Sequence, residues 1–225
     1  MEAAVAELCR RGEGVAAFDA DGVLWRGDVG NSFLLWQIEN HRLLPQGERE
    51  ARRAWDLYSS GQLGDLELAV LCATCQRGLL EEQVQADART FFEREFRSQI
   101  VPEVRAWVER LQQAGIEVWI VSGSHRWLVA AGAREVSVPD SRLLAVSTAV
   151  RDGTLTAQLL LPVPYGQGKA RALQSRLRRP LDLALGNSLA DSFMLELAAL
   201  AVAFEPDAGL EELAARRGWP VVRFD

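Results

Sequence analysis

Asp19 and Asp21 stand one residue apart, directly after the apolar run Val15-Ala16-Ala17-Phe18 and directly before Gly22. Two carboxylates in that relation have a definite chemistry open to them. One can attack phosphorus and form an aspartyl-phosphate. The other can protonate the leaving oxygen and then activate water. In extended backbone, residues i and i+2 point the same way, so both would face one site. A cation or a shared proton relieves their repulsion. The plainer reading is a polar turn after a strand.

Three more stretches offer partners for that chemistry. Ser122 and Gly123 follow the run Ile116 to Val121. The Ser122 hydroxyl and the two amides can cradle a phosphoryl oxygen, or Ser122 can simply cap a helix. Lys169 follows Gly166 and Gly168. It can screen a carboxylate nucleophile and neutralise phosphate, or begin a solvated basic face with Arg171, Arg176, Arg178 and Arg179. Asn187 and Asp191 lie just beyond Leu183-Ala184-Leu185-Gly186. Carboxylate, amide, carbonyl and water oxygens are what Mg²⁺ accepts, while Asn187 or Ser188 would equally serve as a helix cap.

Each stretch follows a short apolar run of strand character, which puts all four at carboxyl ends of strands, where open α/β sheets bind ligands. The remaining pattern supplies the sheet. Strands are expected at Val15–Phe18, 116–121, 181–185, 199–204 and 220–224, with helices at 2–11, 102–114, 125–134, 167–178, from Ser188 through Leu197, and at 208–217. Asp152-Gly153 marks a hairpin between apolar stretches 143–150 and 155–161. From Arg26 to Ser98 the β-branched runs give way to about four amphipathic helical stretches, broken at Pro45, Gly61–Gly64 and Gly78. The expected fold class is α/β: a Rossmann-like, three-layer parallel-sheet core (residues 1–25 and 99–225) with an inserted all-helical cap (26–98).

Composition bounds the partners. The 225 residues are 48% hydrophobic and 25% charged, with a formal net charge of -6, an ordinary folded composition that does not suggest nucleic-acid binding. No apolar stretch is long enough to span a membrane, and the N-terminus has no signal-peptide pattern. Three cysteines suggest a reducing compartment, so the cytoplasm is the expected location. Cys72 and Cys75 have redox spacing but sit in a helical stretch without a thioredoxin-like context, which favours a structural role.

Together and in this order, the four stretches resemble the motifs of the haloacid dehalogenase superfamily of phosphohydrolases, in its phosphoserine-phosphatase-like branch. That branch also has its helical cap between the first and second motifs, and the resemblance covers nearly the whole chain. It implies Asp19 as nucleophile and Asp21 as general acid/base, with Ser122 and Lys169 completing the catalytic set. It implies Mg²⁺ held by the Asp19 carboxylate, the Asp21 carbonyl and Asn187, with Asp191 orienting the site or binding through water. The family usually has Asp where this chain has Asn187, which removes one negative charge from the metal set. The second Asp favours phosphate chemistry over dehalogenation. The implied partner is a small phosphorylated metabolite, bound through Ser122, Gly123, Lys169 and Asp28. The branch places a Glu at the offset of Asp28 to meet a substrate amine.

Other substrate signals are sparse. Trp25 and Trp36 could cage a quaternary ammonium, as in phosphocholine, or simply pack in the insert. Arg52, Arg53 and Arg77 are candidates for binding a substrate carboxylate. Two alternatives share the same residues: phosphoryl transfer to an acceptor other than water, and a weakly active scaffold that binds a phosphorylated ligand or a protein.

Overall fold

The computed structural model describes residues 1–224. Helix α1 (Glu2–Arg11) leads into β1 (Val15–Phe18), whose four residues are all buried. The helical insert follows: α2 (Val29–Glu39), α3 (Pro45–Ser59), α4 (Asp65–Thr74) and α5 (Glu81–Phe91), the last continuing as a wider π turn through Phe96. Then come α6 (Pro102–Gln113), β2 (Glu117–His125), α7 (Arg126–Glu135), β3 (Leu143–Val146) and the antiparallel pair β4 (Thr148–Arg151) and β5 (Thr154–Leu159). The chain ends with α8 (Gln167–Gln174), β6 (Leu181–Gly186), α9 (Ser192–Leu195), β7 (Ala198–Phe204), α10 (Ala208–Arg217) and β8 (Val221–Val222).

Six strands form one parallel sheet in the order β3-β2-β1-β6-β7-β8. From β1 the chain builds outward to β3 on one side, then crosses to β6 and builds outward on the other. The strand order therefore reverses beside β1, which opens a crevice at the carboxyl ends of β1 and β6. The central strands read as continuous apolar runs because helices cover both faces. Ala16 and Phe18 pack into the layer that holds Val104, Val108 and Leu128, and Val15 and Ala17 into the opposite layer with Leu173, Met194 and Leu210. This is the Rossmann-like α/β architecture expected from the sequence.

The helix expected from Ser188 through Leu197 is a 3-10 turn (Leu189–Asp191) followed by the short α9, and two further expected elements differ. β2 does not stop at Val121 but runs on through Ser122, Gly123 and Ser124 to His125, with an irregular register against β3. The stretch 143–150 is not one strand. Ser147 bonds back to Ala145 O and divides it, so β3 joins the parallel sheet and β4 turns away to pair with β5.

The insert has its own core, in which Leu34, Ile38, Ala51, Leu68 and Val84 meet. Leu155 of the hairpin, 2% exposed, belongs to that core too. The backbone follows it: Gly78 N–H donates to Leu155 O, Leu155 N–H to Leu79 O and Glu81 N–H to Gly153 O, all at 2.8–2.9 Å. The insert is thus joined to the hairpin as well as to its two flanking chain segments.

Candidate active site

Asp19 occupies the first position beyond β1, and its N–H still donates to Leu185 O at 2.9 Å. The sheet ladder therefore fixes the root of its side chain. By alternation Asp19 continues the face of Val15 and Ala17, the face covered by α8. Lys169, in the first turn of α8, donates from Nζ to Asp19 Oδ1 at 2.7 Å and also to Asp191 Oδ1. All three groups are buried.

Burial alone would depress the Lys169 ammonium, but the two carboxylates outweigh it and hold the ammonium above its ordinary range. Burial, followed by the Asp191 charge, pushes the Asp19 carboxyl up against the pull of Lys169. We take the lysine as charged, since an ion flanked by two buried carboxylates keeps its proton. The cluster is then short of positive charge.

Asp191 is engaged at both oxygens. Oδ2 accepts the N–H groups of Asn187 and Ser188, each at 3.0 Å, and the Ser188 hydroxyl at 3.2 Å. It thereby shapes the loop that carries Asn187 while holding Lys169 in place. Asn187 lies over Gly22. A Cβ on Gly22 would stand 2.0 Å from the Asn187 amide nitrogen, and Gly22 has φ +74°, so both space and backbone require glycine there.

Asp21 points away from the lysine. Its Oδ1 accepts from Trp25 Nε1 and Val29 N, both at 2.8 Å, and its Oδ2 accepts the Ser124 hydroxyl at 2.7 Å. Ser122 lies just beneath. It is fully buried, its hydroxyl accepts the Ser124 N–H at 3.0 Å and sits 3.5 Å from Asp21 Oδ2. Asp28 caps α2 by accepting the Asn31 N–H at 2.7 Å.

A cavity of about 500 Å³ opens over these groups. Asp19, Asp21, Asp28, Gly123, Lys169 and Asn187 line it, whereas Ser122 and Asp191 support it from below. Sequence reasoning missed Ser124, Asp65 and Tyr165; all three line the cavity, as does His125. Ser124 was within reach, since in an extended strand it shares a face with Ser122. Nothing local marks Asp65 or Tyr165, which approach from the insert and from the loop before α8.

Several expectations resolve into packing. Trp25 is fully buried against Phe92, and Trp36 stacks on Phe33 at 5.6 Å between centroids. Neither borders the cavity, so these two form no aromatic cage around it. Arg77 pairs with Glu50 and Arg52 with Glu48; neither they nor Arg53 line the cleft. Cys72 and Cys75 are buried free thiols, and burial pushes both up, Cys75 to about 12, which makes them poor nucleophiles.

The switch point of a parallel α/β sheet thus carries a buried carboxylate–lysine–carboxylate cluster. The family model for haloacid dehalogenase-like hydrolase matches residues 16–196, and the chain belongs to that family. Among curated proteins, it is 36% identical over 116 residues to a phosphoserine phosphatase of Mycobacterium tuberculosis, a match covering 49% of this chain and 37% of the relative's length. A Bordetella pertussis protein of unknown function has a similar fold, with TM-score 0.81 at 22% identity over 94% of this chain and 98% of that one. A substrate-bound phosphoserine phosphatase shares the fold at TM-score 0.61 and 18% identity, over 89% of this chain and 90% of that one.

Proposed function

We propose that this chain is a Mg²⁺-dependent phosphomonoester hydrolase that turns over a small phosphorylated metabolite through an aspartyl-phosphate on Asp19. The observation that carries the reading is the Lys169 bridge between Asp19 and Asp191 at the floor of the cavity. It occupies Asp19 Oδ1 and leaves Oδ2 as the attacking oxygen. That oxygen forms the new bond to phosphorus as the bond to the substrate's alcohol oxygen breaks. Asp21 gives the leaving oxygen a proton, and later takes one from the water that attacks phosphorus and releases inorganic phosphate from Asp19. Trp25, Val29 and Ser124 hold the Asp21 carboxyl near that path. The amide of Gly123, on the cavity wall, is a donor for the phosphoryl oxygens.

The residues fit a divalent cation. Among the described residues no three His, Cys, Asp or Glu side chains converge as a metal cluster. The donors are of mixed oxygen type: the Asp19 carboxylate, the Asp21 backbone carbonyl and the Asn187 amide, which closes over Gly22 beside that carbonyl. Hard oxygen donors of this kind suit Mg²⁺. Charge argues the same way. Five carboxylates (Asp19, Asp21, Asp28, Asp65 and Asp207) and a single ammonium line the cleft, a poor host for a phosphate dianion without further positive charge. When bound, Mg²⁺ supplies that charge and polarises the phosphoryl group. Residues 26–98 act as the cap that closes over the site and excludes water. Three free thiols fit a reducing, cytoplasmic setting.

The test is turnover of p-nitrophenyl phosphate with Mg²⁺ and again with excess chelator. Chelator-sensitive hydrolysis, lost in Asp19→Asn with the circular dichroism unchanged, is expected. Substantial activity in Asp19→Asn would remove the nucleophile assignment.

A further inference from the structure

One wall of the cleft has a composition that phosphate chemistry does not require. Asp65, the first residue of α4, reaches in from the insert. Its Oδ1 accepts the Tyr58 hydroxyl at 2.9 Å and its Oδ2 the Tyr165 hydroxyl at 3.3 Å. Asp28 stands on the same wall, and its carboxyl is raised to about 6 by its enclosure and by the negative charges of Asp21 and Asp65, so these carboxylates share one field. Arginine does not line this cavity among the described residues, and Lys169 is its one basic side chain.

His125 also borders the cavity and is 2% exposed. Burial and the Arg126 charge keep the imidazole neutral near pH 7, its pKa lowered to about 4. It adds no positive charge to this wall.

We propose that the cleft selects phosphomonoesters whose alcohol half carries a cationic nitrogen and no carboxylate, with Asp65 as the insert residue that sets this preference. This rests on the hydrolase reading above. A substrate carboxylate would meet Asp28 and Asp65 with no basic partner, whereas an ammonium finds two carboxylates and a neutral imidazole. The walls beyond, Leu68, Ala69 and Cys72, suit a short alkyl chain.

The experiment compares kcat/KM for four small esters: 2-aminoethyl phosphate, ethyl phosphate, phosphoserine and phosphoglycolate. Wild type should prefer the aminoethyl ester to ethyl phosphate and to phosphoserine by about tenfold or more, the scale of one charge pair at a solvent-touched site. Asp65→Asn keeps an acceptor for the tyrosines and removes the charge. It should cut the preference for the aminoethyl ester over ethyl phosphate, through KM for the aminoethyl ester. Equal or better turnover of phosphoserine, or an unchanged preference in Asp65→Asn, overturns the proposal while the hydrolase reading stands. If no ester is turned over, including p-nitrophenyl phosphate, the hydrolase reading fails instead. Calorimetric titration with the same four esters then decides: tighter binding of the aminoethyl ester supports the selectivity, and tighter binding of either carboxylate ester overturns it.

Discussion

Lys169 is the residue on which most of the site depends. Its ammonium is buried between two buried carboxylates, so removing it strands both. Breaking a buried ion pair from one side costs about 3–5 kcal/mol. Lys169→Met should therefore lose stability on that scale at pH 7, measured by urea unfolding, and regain part of it in acid as the stranded carboxylates protonate. His125 gives a second, independent signature. Burial, with help from Arg126, lowers its folded pKa to about 4, below the unfolded value of about 6.5. Between those values the unfolded chain binds the extra proton, so stability is complete above about pH 6.5 and falls as pH drops towards about 4. The shift corresponds to about 3 kcal/mol. Denaturation midpoints of the wild type and His125→Gln, compared across that window, should converge as pH falls. The comparison cancels the carboxylates that titrate in both proteins.

At the scale of elements, the loop into α8 is what aims the lysine. A Cβ on Gly168 would stand 1.8 Å from the carbonyl oxygen of Val163, so the chain doubles back on itself one residue before Lys169. Gly168→Ala must displace that turn. Its melting temperature should drop by an amount equivalent to about 1–3 kcal/mol, and kcat should fall as Lys169 leaves its bridge. Much of this architecture was legible from sequence because it is local. The central strands are mostly apolar runs, and α10 opens on a capping Asp207 that accepts the Leu210 N–H at 2.7 Å. The strand–turn positions of Asp19 and Asn187 were readable for the same reason; Lys169 was expected at a strand end too, but it sits in the first turn of α8, beyond a loop that leaves the hairpin and not the parallel sheet. What escaped the reading depends on distant partners. β2 continues past Ser122 because β3 offers pairing for His125, and no composition cue near Ser124 announces that. Asp65 becomes part of the cleft only because the insert folds back across the sheet.

At the scale of the whole molecule, charge links folding to ligand. The described cleft holds five carboxylates against one ammonium, and the folded state bears their repulsion. A cation that binds this arrangement and not the unfolded chain stabilises it, by about 2.7 kcal/mol at a hundred times its dissociation constant. The melting temperature should thus rise with added Mg²⁺ and return on chelation, with no substrate present. A melting temperature indifferent to Mg²⁺ would count against the proposed metal site.

The hairpin of β4 and β5 gives this chain a further property. Three backbone hydrogen bonds and the buried Leu155 bind the insert to it, and the chain leaving Leu159 reaches Lys169 only ten positions later (169 − 159). An insert hinged on two linkers alone would be a part that evolution or an engineer could exchange between related enzymes. Here residues 26–98 moved into another scaffold would arrive with an open socket where Leu155 belongs. The insert and residues 148–159 pack as one unit, and swaps that respect only the linker boundaries should yield chimaeras with a loosened insert.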